Sequence, residues 1–421
     1  MIINFLIIIQ DKNMNKFYNE LKQLYKKFEK FNEEKVPLCA AETYISDFVR
    51  QGLSSDFEGK YIQGYKNRII EKDNIGSNYI YELLSLTEKI CNDLYHAKYV
   101  DSRTLSGMNC MAILIMAIVD KSSTVLITTK ECGGHPSLAN ILDNLGIRYL
   151  PIPYDFEKFE INYSELNKIL LEQNISFVIF CQSDIISQPD FSKINLPFST
   201  GLIYDASQTL GLIAANLLDN PLCHFNNSLL IGGTHKTLPG PTCGIIMTNN
   251  DDYIKKIDFI ISPTLLRNIQ PNNIAALCLA LIEQAEVGVK YQKAIVTNAN
   301  ILGHKLTSYG IDVVKLNNEL FTKTHQLFVC FDEHTTNLIY ERAIKYNITL
   351  NKRISKLYTG IRIGVQEITR YNYSESDLDN IAKLIYLLSC NEEKEDTIHN
   401  ICTDLSHKKK PYFILDDIFM V

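Results

Sequence analysis

The sequence predicts an α/β fold in which a mostly parallel sheet carries helices on both faces and is followed by a smaller C-terminal α/β domain. Three observations predict it. Six short, nearly all-apolar runs alternate with helical patterns, as expected of strands buried on both faces and joined by crossover helices. No repeat, low-complexity run or Gly/Ser linker interrupts the chain between Pro37 and about Leu388. A long helical segment, from about Asn273 to Leu306, then leads into a second α/β region over 311–388.

Taken in order, the opening MIINFLIII is too short to span a bilayer and lacks a basic leader and a small-residue cleavage site. It reads as an upstream-start artefact ahead of Met14 or as a packed terminal arm. Ser77 opens a helix whose Ile80, Leu83, Leu84, Ile90, Cys91 and Leu94 share one face. The apolar helix Met111 to Val119 follows the turn Ser106-Gly107. Strands are expected over Thr124 to Thr128, Arg148 to Ile152, Ser176 to Cys181, Leu202 to Tyr204, Leu229 to Gly232 and Gly244 to Thr248. Helices are expected at Pro136 to Leu145 and Tyr163 to Glu172, and a last one carries Leu378, Ile381, Ile385 and Leu388. The tail after Cys390 is mixed in charge and has no assigned element. The expected division is an N-terminal arm with helices over 1–60, a large domain over 61–295, a small one over 296–390 and a tail over 391–421.

Of the 421 residues 46% are apolar, enough for a large core, which excludes disordered and collagen-like classes. The 42 basic and 48 acidic residues leave a net charge of −6, so no global field attracts nucleic acid or an acidic membrane. Small molecules are the expected partners, with any anion held locally. Eleven cysteines without a Cys-x-x-Cys pair argue for free thiols in a reducing compartment, hence the cytoplasm.

In an open parallel sheet, polar residues after the strands face the ligand crevice. Asp205 follows such a strand; a carboxylate there either caps a helix or pairs with a protonated heterocyclic nitrogen. Ser106-Gly107 feeds a helix N-terminus, either an ordinary connection or an anion site. Cys132-Gly133-Gly134-His135 lacks partners at metal spacing, so its imidazole is a loop residue or stacks on a flat ring. Lys236 sits in the Thr-rich turn Thr234-His235-Lys236-Thr237, solvated or desolvated enough to form a Schiff base. An anion turn, a stacking His, an Asp for a ring nitrogen and this Lys, in that order, form a pyridoxal phosphate constellation.

With these motifs the chain, over about 37–388, resembles the serine hydroxymethyltransferase group of fold-type-I pyridoxal phosphate enzymes, THKTLPGP at 234–241 being the most specific segment. The resemblance implies Lys236 as the Schiff-base lysine, Asp205 as partner of the pyridine nitrogen and His135 stacking on the ring. It implies Ser106 and Gly107 in LSGMN at the phosphate and Ser183 in CQSD at the ring hydroxyl, with Gln208 and His235 also on the cofactor. Arg362 in TGIRIG would grip the substrate carboxylate. Tyr61 in GKYIQGY would reach the neighbouring subunit's site, which implies an obligate homodimer.

Departures from the group concern its folate and hydroxymethyl residues. Gln63 replaces the acid of GKYIQGY, Ile69 and Ile70 replace two tyrosines, Gln208 replaces the histidine of the Asp motif, and Ala41 in CAAETY replaces a serine. The Gly-Gly of the second subunit's phosphate contacts is Arg267-Asn268. FTKTHQ at 321–326 and GIRIGVQEITR at 360–370 are similar to the threonine transaldolase branch. The expectation is an enzyme that makes or breaks the Cα–Cβ bond of a β-hydroxy amino acid through a glycyl quinonoid, folate-independent, with an aldehyde as second substrate; tetrahydrofolate is doubtful. Alternatives are tetrahydrofolate-dependent glycine hydroxymethyl transfer, another fate of the carbanion (racemisation, decarboxylation, transamination), or a non-catalytic dimer.

Overall fold

The computed structural model describes residues 2–62, 75–266 and 268–416, with side chains described from Met14 onward. Seven strands form the main sheet: β1 (Tyr99–Asp101), β2 (Thr124–Ile127), β3 (Arg148–Pro151), β4 (Phe177–Cys181), β5 (Gly201–Asp205), β6 (Ser228–His235) and β7 (Pro239–Thr248). Their spatial order is β1-β7-β6-β5-β4-β2-β3. The five strands from β6 to β3 run parallel, and β7 pairs antiparallel with both β1 and β6. The central strands are apolar along their whole length because helices cover both faces: every residue of β2, β4 and β5 is buried. One core lies on each side, built around Val178, Leu202 and Leu230 on one face and Ile179, Ile203 and Leu229 on the other.

The expected helices form where the apolar spacing placed them, over Ser77–Tyr95, Pro136–Leu145 and Tyr163–Glu172. Helix Gly107–Ile118 begins four residues before its expected start because Ser106 caps it, accepting from the Asn109 N–H at 3.2 Å. The long helix spans Pro271–Ser308 and carries packing from the main sheet to a second, four-stranded sheet. That sheet comprises β8 (Asp312–Val313), β9 (Gln326–Cys330), β10 (Asn351–Ile354) and β11 (Thr359–Gly364), in the order β8-β9-β11-β10 and wholly antiparallel.

Both ends of the chain are helical. Residues Ile2–Glu34 form one helix, uninterrupted by Gly or Pro, whose side chains from Met14 on are exposed almost throughout. The leader's side chains lie outside the described residues; the C-terminal end of the helix is tied down by the Lys409 amine, which donates to the Asn32 carbonyl at 2.7 Å. The tail forms a helix over Glu395–His407 that buries Ile398, Cys402 and Leu405 in the same core as the small sheet. Steps of four and three between those residues are the sequence signal for it. All eleven cysteines are free, and no described helix is long and apolar enough to cross a membrane.

Candidate active site

The ends of β4, β5 and β6 build the centre of the site. β4 and β5 pair in register so that Cys181 stands beside Asp205, and β5 sets Asp205 against Ile231 of β6. Asp205 is 8% exposed. Its Oδ2 accepts from the Cys181 thiol at 3.2 Å, and its Oδ1 accepts from the Ser207 N–H at 2.9 Å and the Ser207 hydroxyl at 2.5 Å. The next helix starts only at Leu210, with Thr209 at the N-cap position, so Asp205 is not a helix cap. Instead it is a carboxylate fixed by a local turn at the carboxyl end of β5, the end where ligands of open parallel sheets bind.

Ser207 ties this turn to β6, its hydroxyl accepting from the Gly233 N–H at 2.7 Å. The N-terminus of helix Gly107–Ile118 approaches the same point. A Cβ on Gly107 would stand 2.5 Å from Ser207 Oγ and 2.9 Å from the Gly233 nitrogen. Glycine is required here by that approach, and the helix N-terminus it admits is a favourable place for an anion.

Lys236 follows β6 directly and is partly buried, and its amine makes no hydrogen bond or ion pair among the described residues. Burial pushes its pKa below the usual lysine value; the Asp205 carboxylate opposes the shift and the Arg362 guanidinium reinforces it. A lysine so placed loses its proton more readily than one in water, which a nucleophilic amine needs. His235 beside it is pushed down to about 4 by burial and by Lys236, and its Nδ1 is buried without a hydrogen-bond partner.

His135 closes the centre from the CGGH loop. Its N–H donates to the Cys181 carbonyl at 2.7 Å, and its Nδ1 accepts from the Ser137 N–H at 3.2 Å, capping helix Pro136–Leu145. That bond fixes the neutral ring with its proton on Nε2. Burial lowers its pKa, so the ring is uncharged at neutral pH, as a stacking partner for a flat heterocycle should be.

The arginine expected at a substrate carboxylate lies in the small sheet. Arg362 lies in β11 directly opposite Asn351 in β10. Its Nε and Nη2 donate to Asn351 Oδ1 at 3.1 and 2.7 Å; its Nη1 donates to the Ser183 carbonyl at 2.7 Å and to Asp184 Oδ1 at 2.8 Å. Arg362 is 3% exposed and held in one orientation, with one N–H of Nη2 left over. A bidentate grip on a carboxylate therefore requires Asn351 to yield one of its two bonds.

The remaining expected residues divide into three groups. Ser183 is at the site, its hydroxyl without a partner among the described residues and its N–H donating to the Gly133 carbonyl at 2.8 Å. Gln208 is buried, and its Oε1 accepts from Gln326 Nε2 at 3.0 Å. Ala41 lies in a turn braced by His325, whose Nε2 meets the Ala40 carbonyl at 3.0 Å, and by Gln366, whose amide donates to the Cys39 carbonyl at 2.7 Å. By contrast Tyr61 is 49% exposed and makes no hydrogen bond to Lys236, Asp205 or His135 among the described residues. Asn268 binds the neighbouring Lys60–Ile62 stretch, accepting from the Ile62 N–H at 2.9 Å and donating to the Lys60 carbonyl at 3.4 Å. Gln63, Ile69, Ile70 and Arg267 lie outside the described residues.

Sequence reasoning missed Ser207, Asn351, Asp184, Arg353, Gln326 and His325. For Ser207 a signal existed, a hydroxyl two residues after the Asp. Gln326 has none: its amide joins Gln208 to the Ser183 carbonyl, at 3.0 Å each, across more than a hundred residues of chain.

These residues fit pyridoxal phosphate. The fit rests on an unpartnered, depressed lysine amine, a fixed carboxylate beside it, an orphaned His235 nitrogen and a cradle at Gly107 that a Cβ would fill. Fold and site together define a fold-type-I pyridoxal phosphate-dependent transferase. The chain belongs to the serine hydroxymethyltransferase family, whose family model matches residues 14–385. It is 29% identical over 387 residues to the serine hydroxymethyltransferase of Thermoplasma volcanium, covering 88% of this chain and 90% of that one. To that of Methanothermobacter thermautotrophicus it is 30% identical over 387 residues, with the same 88% and 90% coverage. In structure it is similar to the L-threonine transaldolase of Pseudomonas fluorescens, solved in its internal aldimine state, with a TM-score of 0.87, 23% identity, and coverage of 95% of this chain and 93% of that one.

Proposed function

We propose that the enzyme makes or breaks the Cα–Cβ bond of a β-hydroxy amino acid such as threonine, with a free aldehyde rather than folate as the second reactant. The observation that carries this reading is the partly buried Lys236 amine, unpartnered among the described residues and under the opposing influence of the Asp205 and Arg362 charges. Lys236 would bind the cofactor, with Asp205 at the pyridine nitrogen, His135 against the ring, Ser183 at the ring hydroxyl, and Ser106 with Gly107 and the helix behind them at the phosphate; Gln208 and His235 would complete the surround. When bound, pyridoxal phosphate supplies an electron sink for a carbanion at Cα. Arg362 anchors the α-carboxylate and so fixes which Cα bond is aligned for cleavage. In the synthetic direction glycine Cα loses a proton and bonds to the aldehyde carbonyl carbon, whose oxygen takes up a proton, so no oxidant or reductant is consumed. Lys236 is placed to move that Cα proton.

Gln63 and Gln208 favour the folate-independent form, because neither amide can exchange a proton near neutral pH where the family has an acid and a histidine. A second reading, tetrahydrofolate-dependent glycine hydroxymethyl transfer, is favoured by the names of the curated relatives. In either reading residues 61–295 and 296–390 act as large and small domains, and the protein is a homodimer in which Tyr61 and the Arg267-Asn268 pair serve the partner's site. The test is cleavage by the pyridoxal phosphate-loaded enzyme. Release of glycine and acetaldehyde from threonine without folate is the expected result; turnover of serine alone, and only with tetrahydrofolate, would establish the second reading.

A further inference from the structure

Arg353 forms a second cationic position beside Arg362, one that the motifs do not assign. Alternation along β10 puts Asn351 and Arg353 on the same face of the small sheet, the face that meets Arg362 and the Ser183-Asp184 loop. Arg353 Nε donates to both oxygens of Asp184 at 2.9 Å, while Arg362 Nη1 holds Asp184 Oδ1 at 2.8 Å. One carboxylate therefore serves two guanidiniums, and no other acid pairs with either among the described residues. The group carries a surplus positive charge.

The two arginines differ in what they leave unused. Arg362 has one N–H to spare and its side chain is 4% exposed. Arg353 is farther out, with its side chain 25% exposed; its Nη1 donates to the Lys352 carbonyl at 3.0 Å, and its Nη2 makes no hydrogen bond among the described residues. Asp184 holds the Arg353 guanidinium by its Nε edge, so the fork is oriented while its Nη2 end stays open. An oriented, incompletely paired guanidinium suits an oxyanion.

Resting on the carbon–carbon bond chemistry above, we propose that Arg353 is a specificity-determining residue that receives an anionic group, carboxylate or phosphate, on the aldehyde part of the β-hydroxy amino acid. Arg362 takes the α-carboxylate and Arg353 the second anion, with Asp184 spacing and orienting the two.

The test uses the pyridoxal phosphate-loaded enzyme with glycine and three matched acceptors: benzaldehyde, para-carboxybenzaldehyde and para-formylphenyl phosphate. Wild type should prefer at least one anionic acceptor over benzaldehyde in kcat/KM by at least about tenfold, and whichever is preferred identifies the anion. In Arg353→Gln that ratio should collapse towards one, and Arg353→Lys should recover part of it. A wild-type ratio near or below one for both anions, or a ratio unchanged in Arg353→Gln, overturns the proposal; the wild-type ratio decides even where a variant fails to fold. Exchange of the glycine α-hydrogen with heavy water is measured alongside, without any aldehyde. Exchange without anion preference removes only the Arg353 assignment, whereas no exchange removes the proposed reaction and the assignment with it.

Discussion

The two halves of the site are built differently. The half expected to hold the cofactor hangs on parallel strands of the main sheet: Asp205 ends β5, Lys236 directly follows β6, and His135 is bound through its backbone N–H to Cys181 at the end of β4. The substrate half is assembled across the molecule, Arg362 and Arg353 from the small sheet meeting Ser183 and Asp184 from the large one. Parallel strands of fixed register deliver side chains to one rim by topology alone; the arginines depend on the two sheets holding their relative position. On the proposed reading, chemistry that every substrate shares rests on the half built within one sheet, and selection among substrates rests on the half that spans a boundary.

Variants in the two halves should separate this division, and the largest effect belongs to the cofactor half. Lys236→Ala should remove the cofactor's protein-bound absorption band and lower turnover by about 10²–10⁴-fold. A variant that kept the band would move the Schiff base to another lysine. Arg362→Ala should leave that band in place and weaken amino acid binding by about 2–5 kcal/mol, read as a rise in the dissociation constant for glycine. Loss of the band, or unchanged affinity, would mean the halves are not separable as described.

A smaller effect concerns the joint between them. His325 is fully buried on β9's approach, near both Arg362 and Lys236, and burial pushes its pKa down to about 3. Between that value and the unfolded value of about 6.5 only the unfolded chain binds the proton, so stability falls as pH drops through this window. The loss from this group reaches about 2 kcal/mol at pH 5. His325→Gln should flatten the change in urea midpoint between pH 7 and pH 5; His235, shifted in the same direction, should retain part of it. An unchanged pH dependence would show that His325 stays neutral in both states.

The smallest shift is read in the pH dependence of cofactor loading, apart from the loss of turnover that removing the Asp205 charge also causes. Asp205 raises the pKa of Lys236 against the effect of burial. In Asp205→Asn burial is no longer opposed, so the pH at half-maximal rate of pyridoxal phosphate loading should fall below that of wild type. A rise would contradict the electrostatic assignment of the pair.

The difference between the halves also governs what the sequence discloses. Apolar runs, the polar residues after them and the turn Ser106-Gly107 are local, and local patterns survive in a linear reading. The Asp184 node does not: its arginine partners lie 169 and 178 residues away. Asn351 becomes visible only once antiparallel pairing sets it opposite Arg362. The exposed N-terminal helix is a different case, since its apolar leader invites packing that this chain does not provide to the residues after it. The tail helix was legible in principle, its buried residues keeping helical spacing within a mixed-charge segment.

On the proposed reading Lys236 and Asp205 hold the cofactor for carbanion chemistry at the Cα of glycine. Its most direct test is proton NMR of glycine in heavy water with the pyridoxal phosphate-loaded enzyme. The account predicts that the α-proton signal decays in wild type and persists in Lys236→Ala; persistence in the loaded wild-type enzyme would contradict it.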